Sequence, residues 1–248
     1  MNNPILELKN IYKKFGNINA LNGVDFNVHA NSVTALCGDN GAGKSTLIKI
    51  ISGALIPDKG NVFIFGKSIM LNSPKDSHNL GIETVYQDLA LCENLNVIQN
   101  LFLGREICFD LNWFTNFFIN NKKMRQKAKD VFNDLGTTIP SFKNQISHLS
   151  GGQKQAVAIA RAIAWGSKII ILDEPTAALG VEQTKNVHNI ILNLKAKGIG
   201  IVLITHNMQD VFNLADRVVV LRQGVKVSEM STASCSPSDV VKAITGAK

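Results

Sequence analysis

Apolar and polar positions along this chain follow two different periods. Val24–Val28 (VDFNV) alternates residue by residue, as a half-buried strand does, and the first thirty or so residues read as short strands of that kind. Ser32–Gly38 (SVTALCG) is almost wholly apolar and runs into a glycine-rich loop. KSTLIKIISGAL then predicts a helix, ended by PDKG at Pro57–Gly60. NVFIF and GIETVYQ predict two further strands. From about Asp88 to Trp165 the apolar spacing shifts to about 3.6 residues and predicts helices. Within that stretch Met124, Ala128, Val131, Phe132 and Leu135 form one stripe, with Gly136 as the stop. Strands return at KIIILDEP, GIVLITH and DRVVVLRQG. The helix between the first two, VEQTKNVHNIILNLKAKG, carries Val187, Ile190, Ile191 and Leu194 on one face and ends at Gly198. The tail STASCSPSDVVKAITGAK is polar, then weakly helical.

Nearly continuous apolar strands alternating with helices predict a parallel sheet buried on both faces. The helical stretch reads as an insertion between the two halves of that sheet. The expected organisation is one domain over residues 1–248, with a core from about 1–87 and 166–224, a helical subdomain over about 88–165 and a tail at 225–248. A chain of 248 residues, 45% of them hydrophobic, can bury such a core. Its opening, MNNPILELKN, lacks a secretory leader's pattern, and its longest clean apolar run, Ile169–Leu172, is far too short to cross a bilayer. The expectation is a soluble chain, or one held at a membrane by another chain. Four cysteines without CxxC spacing (Cys37, Cys92, Cys108, Cys235) read as reduced thiols. The formal charge of +7 gathers only at Asn121–Lys129. Nucleic-acid binding and a solvated helix face are the two readings. The apolar stripe sets most of these lysines on the opposite face, and no aromatic residue interleaves them, so no nucleic-acid partner is expected.

Gly38-x4-Gly43-Lys44-Ser45 matches a phosphate-binding loop. Here Gly38, Asn40, Gly41, Ala42, Gly43 and Thr46 would present backbone to phosphate oxygens at the start of a helix whose dipole favours anions. Lys44 would reach the β- and γ-phosphates, and the Ser45 hydroxyl would hold Mg2+. Asp173 and Glu174, where the strand IIILD emerges, supply a carboxylate for the metal and a second to polarise an attacking water. Ser150, Gly151, Gly152 and Gln153 (SGGQ) open a further helix, again with anion-seeking geometry. Two phosphate grips on separate lobes suggest a site closed by a second molecule.

With these motifs in this order, the chain resembles the nucleotide-binding subunit of an ABC transporter over nearly its whole length. The resemblance rests on GDNGAGKST, Gln87 after GIETVY, LSGGQ, IIILDEP and His206 after IVLIT. It implies an α/β P-loop NTPase fold: a mostly parallel core sheet, an N-terminal antiparallel β subdomain and an inserted α-helical subdomain. It also implies a head-to-tail pair of such domains around two ATP molecules. Ser150 and Gly152 of one copy would then face the ATP held by the other. By the same resemblance Gln87 would sense Mg2+ or water, and His206 would contact the γ-phosphate and orient Glu174. Phe15 matches the aromatic that stacks on adenine; packing beneath the N-terminal sheet is the plainer alternative. One departure is Gly180 in TAALG, where the family usually carries an aspartate in the loop that crosses the dimer.

NLFLGRE, LDEPTAALG and THNMQDVFNLADRVVVLRQG are similar to ATPase subunits of monosaccharide importers. That likeness implies self-pairing beneath transmembrane permease subunits, on the cytoplasmic face of the membrane, with an external solute-binding protein as indirect partner. The helical insertion near Asp88–Leu103 would receive the permease. LNWFTNFFI at Leu111–Ile119 reads as core packing of the helical lobe, with a permease contact as the alternative. An ATPase for another solute, an exporter, and a soluble ABC-type ATPase acting on nucleic acid or ribosomes share the core motifs. The soluble kind needs a long coiled coil or tandem domains, which this sequence lacks.

Overall fold

The computed structural model of the chain describes residues 3–109 and 118–247. They form two compact units. The first takes Met1–Thr84, Ser167–Pro175 and Leu194–Lys248; the second takes Val85–Gly166 and Thr176–Asn193.

The first unit carries two sheets. One is antiparallel, in the order β2-β1-β4-β5, from β1 (Leu6–Phe15), β2 (Ile18–Val28), β4 (Lys59–Ile64) and β5 (Lys67–Ile69). The other has six strands in the order β10-β9-β3-β8-β7-β6. It is built from β3 (Val33–Cys37), β6 (Ile82–Val85), β7 (Ile169–Asp173), β8 (Gly200–Ile204), β9 (Arg217–Arg222) and β10 (Val225–Ser231). β9, β3, β8 and β7 run parallel, and β10 pairs with β9 antiparallel. Every residue of β3 and β8 is buried, as their unbroken apolar runs require. One core joins both sheets to helix α1 (Lys44–Ile51). It includes Leu8, Phe26, Leu36, Ile50, Ile171, Val202 and Val219, each almost fully excluded from water. A side chain of this size contributes about 1.5–3 kcal/mol by its burial.

Several expectations need correction. The first thirty residues are not short strands but a long hairpin. Asn10 in a left-handed conformation and register shifts after Leu8 and Ile11 break β1's alternation, so the pattern reads as pieces. Helix α1 stops at Ile51, well before Pro57. Ser52 closes it by bonding its N–H to the Ile48 carbonyl and its hydroxyl to that of Lys49. Val225–Ser231, grouped by sequence with the tail, is an edge strand of the large sheet. Its burial is only partial, which weakens its pattern. Two short elements, β5 and α2 (Pro74–Asn79), carried no signal long enough to read.

The second unit is helical, but in pieces: α3 (Val97–Phe102), α4 (Asn121–Leu135), α5 (Gly151–Ile163) and most of α6 (Val181–Ala196). The α4 stripe is buried as expected, and Gly136 ends the helix in a left-handed turn. Most of LNWFTNFFI lies outside the described residues; Phe118 and Ile119 are described and are exposed. Trp165 meets Phe102 edge to face at 5.7 Å, with the Lys127 ammonium 3.9 Å from its ring centre. Before α3 the chain turns around Asn100, which is fully buried. Its amide donates to the carbonyls of Cys92, Leu95 and Asn96, and its oxygen accepts the Cys92 N–H at 2.8 Å. Asn100→Leu strands those groups, so it is expected to destabilise the chain by on the order of 1–3 kcal/mol. The readout is a lower urea midpoint at unchanged m value.

Candidate functional site

In the large sheet Leu36, Ile204 and Asp173 lie level across three adjacent parallel strands, β3, β8 and β7. All three strands end at one edge. The glycine loop follows β3 there, Thr205 and His206 follow β8, and Asp173 and Glu174 close β7. The carboxyl edge of a parallel sheet is where α/β folds build ligand sites.

The loop Gly38–Thr46 needs its glycines for space as well as for conformation. A Cβ on Gly38 would lie 2.3 Å from the Leu221 carbonyl oxygen, and one on Gly43 would lie 2.6 Å from that of Ala20; both residues have positive φ. Gly43 is the N-cap of α1 and makes no side-chain cap, so the first N–H groups of the helix stay directed outward. Lys44 folds back over the loop, its ammonium donating to the carbonyls of Gly38 at 2.7 Å and Asp39 at 3.0 Å. A cavity of about 470 Å³ opens beside it, lined by Asn40, Gly41, Ala42, Gly43, Lys44, Ser45 and Thr46. Cys37, just before the loop, is buried, and burial pushes its thiol up to about 12 against the pull of Lys44. It is an inert core side chain.

Ile18, Asn19, Ala20 and Gln223 also wall this cavity, and none was singled out from sequence. Next to them the Gly224 carbonyl accepts from Asn22 N–H and its N–H donates to the Ala42 carbonyl, tying the β9–β10 turn to the loop and to β2. The available signal was the turn dipeptide Gln223-Gly224. Phe15 pairs across the hairpin with Ile18 and is about half exposed, with the Lys13 ammonium 5.8 Å from its ring centre. It does not pack beneath the sheet.

At the end of β7, Glu174 takes a left-handed backbone conformation with φ 48°, which a glutamate adopts at a cost on the order of 1–3 kcal/mol. Its N–H donates to the Ile204 carbonyl at 2.9 Å, so the β7–β8 ladder holds the strained turn. Its Oε1 lies 2.9 Å from His206 Nδ1. A proton on Nδ1 donated to the carboxylate leaves Nε2 of the exposed imidazole pointing elsewhere. Asp173 is half-buried. Burial raises its carboxyl above the usual range, the adjacent Glu174 raises it further, and Lys44 partly offsets both.

Gln87 and Ser150–Gln153 belong to the second unit. Gln87 is exposed, two residues past the end of β6. Ser150 caps α5 in a reciprocal box: Gln153 N–H donates to its hydroxyl, and its own N–H donates to Gln153 Oε1 at 2.9 Å. Gly152 is held close to α6, where an added Cβ would lie 3.0 Å from that of Gln183. Near its other end α5 carries Arg161, whose guanidinium donates to two successive carbonyls, Leu89 at 2.8 Å and Ala90 at 2.6 Å. These sit just after Gln87, in left-handed conformations. Nothing lies within 4 Å of the Cβ that Gly180 lacks, so an aspartate there would meet no clash. Among the described residues no group of three or more His, Cys, Asp or Glu side chains is placed to hold a metal ion.

The family model described as ABC transporter matches residues 21–177. A xylose/arabinose import ATP-binding protein of Sulfolobus acidocaldarius is 43% identical over 97% of this chain and 94% of its own length. A fructose import ATP-binding protein of Rhizobium meliloti is 43% identical over 99% and 95%. A ribose import ATP-binding protein of Caldanaerobacter subterraneus is 37% identical over 98% of this chain, which spans 48% of that relative. The ADP conformation of an ATP-binding cassette of an ABC transporter superposes with a TM-score of 0.82 at 30% identity, covering 99% of this chain and 96% of that one. A dimeric cassette bound to ADP and Pi gives 0.75 at 26% identity, covering 92% and 98%. A glycine loop, a carboxylate pair and a histidine at one sheet edge thus sit in a chain that these relatives match over nearly all of its own length: it belongs to the ABC transporter family.

Proposed function

We propose that this chain is the ATP-binding and hydrolysing subunit that energises import of a monosaccharide through a partner permease. The observation that carries the catalytic part is the Glu174–His206 pair at 2.9 Å, level with the phosphate loop on the same sheet edge. The full-length likeness to xylose/arabinose and fructose import proteins supports the choice of cargo. An external solute-binding protein would deliver the sugar. The chain would work at the cytoplasmic face of the membrane, beside the permease, a reading that its likeness to import ATP-binding proteins supports.

The residues present fit a magnesium nucleotide. Mg2+ takes oxygen donors, commonly one or two carboxylates with phosphates and water. Ser45 supplies a hydroxyl and Asp173 a carboxylate whose burial beside Glu174 favours a cation. When bound, the ion would neutralise charge on the β- and γ-phosphate oxygens. The chain's own groups do the rest. Loop amides and Lys44 hold the phosphates, and Phe15, exposed at the hairpin beside the cavity, offers a face for the adenine. Glu174 takes a proton from the attacking water as its oxygen bonds to the γ-phosphorus and the bond to the β-phosphate oxygen breaks. His206 fixes one carboxylate oxygen of Glu174 through Nδ1 and would contact the γ-phosphate, as the family resemblance implies. Gln87 would sense the metal or the water, as the family resemblance implies. Ser150, Gly151, Gly152 and Gln153 act in trans, on ATP held by a second copy. That explains two anion-seeking helix starts in one chain.

Three outcomes test this reading. Glu174→Gln is expected to bind ATP normally and hydrolyse it about 10²–10⁴ times more slowly; an unchanged steady-state rate rules Glu174 out as the base. Mixed dimers of Ser150→Arg with Lys44→Ala should regain one working site, whereas failure of that mixture to recover activity argues for a site contained in one copy. Asp173→Asn should melt at a higher temperature than the parent without nucleotide. Asp173's carboxyl is raised in the fold, so its contribution to stability is present below the usual aspartate range and is lost as pH rises through the raised value. The variant's advantage should therefore appear at neutral pH and vanish in acid, as read by calorimetry across pH.

A further inference from the structure

Helix α4 is charged against its own dipole. Lys122, Lys123, Arg125, Lys127 and Lys129 fill its first half, while Asp130 and Asp134 lie toward its end. Its first turn holds no acidic residue and its last turn no basic one. Cations near a helix N-terminus and anions near its C-terminus both oppose the macrodipole. Helix stability therefore does not account for this arrangement. At about 100° per residue, Arg125, Lys129 and Lys122 share roughly 60° of arc, and the two aspartates fall on another side. All three cations are exposed, and among the described residues none forms an ion pair.

Exposed apolar side chains directly precede the helix in the chain. Just before α4 the chain forms a short antiparallel ribbon: Cys108 bridges Ile119, Phe109 N–H donates to the Phe118 carbonyl, and Asn120 N–H donates to that of Ile107. Phe118 is 66% exposed, and Ile119 and Phe109 are also open to solvent. Phe118 and Ile119 directly precede the helix cap Asn120, whose side chain accepts the Lys123 N–H. Exposed rings leading into a helix that carries a cationic stripe without ion pairs among the described residues, outside its buried stripe, are the features of a surface that sits on a charged lipid interface.

We propose that the ribbon at Phe109 and Phe118–Ile119, with the Lys122–Arg125–Lys129 stripe of α4, contacts an anionic bilayer surface directly. The rings enter the interfacial region and the cations meet lipid phosphates. This contact is independent of the nucleotide site and of the permease. Lipid is the partner this surface fits, since an interfacial layer takes apolar rings and cations side by side without a matching pocket; an acidic polypeptide is the other outcome that the test reads.

The test is co-sedimentation of the full chain with vesicles of phosphatidylcholine alone and of phosphatidylcholine mixed with phosphatidylglycerol, at low and high salt. Binding is expected only to the mixed vesicles and should weaken with salt. Replacing Lys122, Arg125 and Lys129 together by Gln should weaken it by roughly fivefold per charge, about 10²-fold in all. Replacing Lys67, Lys75 and Lys242 by Gln removes the same net charge from exposed positions in the other unit and should leave binding near the parent's. Phe118→Ser should lower affinity while keeping the salt dependence. ATP hydrolysis and melting temperature report that each variant is intact. Binding to neutral vesicles as tightly as to mixed ones, an equal loss in both triple variants, or no vesicle binding at all overturns the proposal. Capture by polyglutamate without capture by vesicles does so too, and assigns the stripe to an acidic protein.

Discussion

The lateral ladder that joins β3, β8 and β7 is the constraint on which the nucleotide site rests. Parallel pairing with Leu36, Ile204 and Asp173 in register makes three strands stop together. Each strand then delivers a different chemical group to one edge: an amide-rich loop, an imidazole and two carboxylates. No single strand could present them together, since side chains along a strand alternate between faces. A one-residue slip of β7 would carry Asp173 and Glu174 to the wrong sides. The buried apolar residues of these strands therefore act on chemistry through alignment, though none of them touches a reacting atom.

The same edge concentrates local disadvantages. Glu174 is held left-handed, Asp173 is half-buried beside a second carboxylate, and Lys44 is turned onto carbonyls of its own loop. The first two are unfavourable for an isolated fold, and all three place groups that a dense anion and its cation would engage. Stability comes from elsewhere in the unit, where the shared core of both sheets and α1 excludes water almost completely. The glycine loop is bound into that core by close backbone approach at Gly38 and Gly43, so the anion-binding face is rigid while its groups stay outward.

What could be read from sequence follows from physical cause. The strands β3, β7, β8 and β9 were legible because burial on both faces demands unbroken apolar runs. Ser45, Asp173, Glu174 and the glycines were legible because phosphate and metal chemistry admits few residue types at those spacings. The α4 stripe was legible as periodicity, while the exposed rings beside it were not, because burial of an isolated aromatic cannot be told from composition. Ile18–Ala20 and Gln223 were missed as cavity walls because they come from the start of β2 and the β9–β10 turn, both distant in sequence from the loop, and none of them belongs to a motif. The length of β1 was hidden by Asn10, and β10 by the weak alternation of an edge strand.

The grip of Arg161 on Leu89 and Ala90 was also beyond sequence, since carbonyls carry no residue identity. Its consequence is mechanical. A guanidinium fork fastened to two neighbouring peptide groups resists both translation and twist. Toward the opposite tip of the same rod is its cap Ser150, eleven residues before Arg161. A load on the Leu89–Ala90 peptides therefore bears on α5 at Arg161, and the helix carries it toward its Ser150 cap.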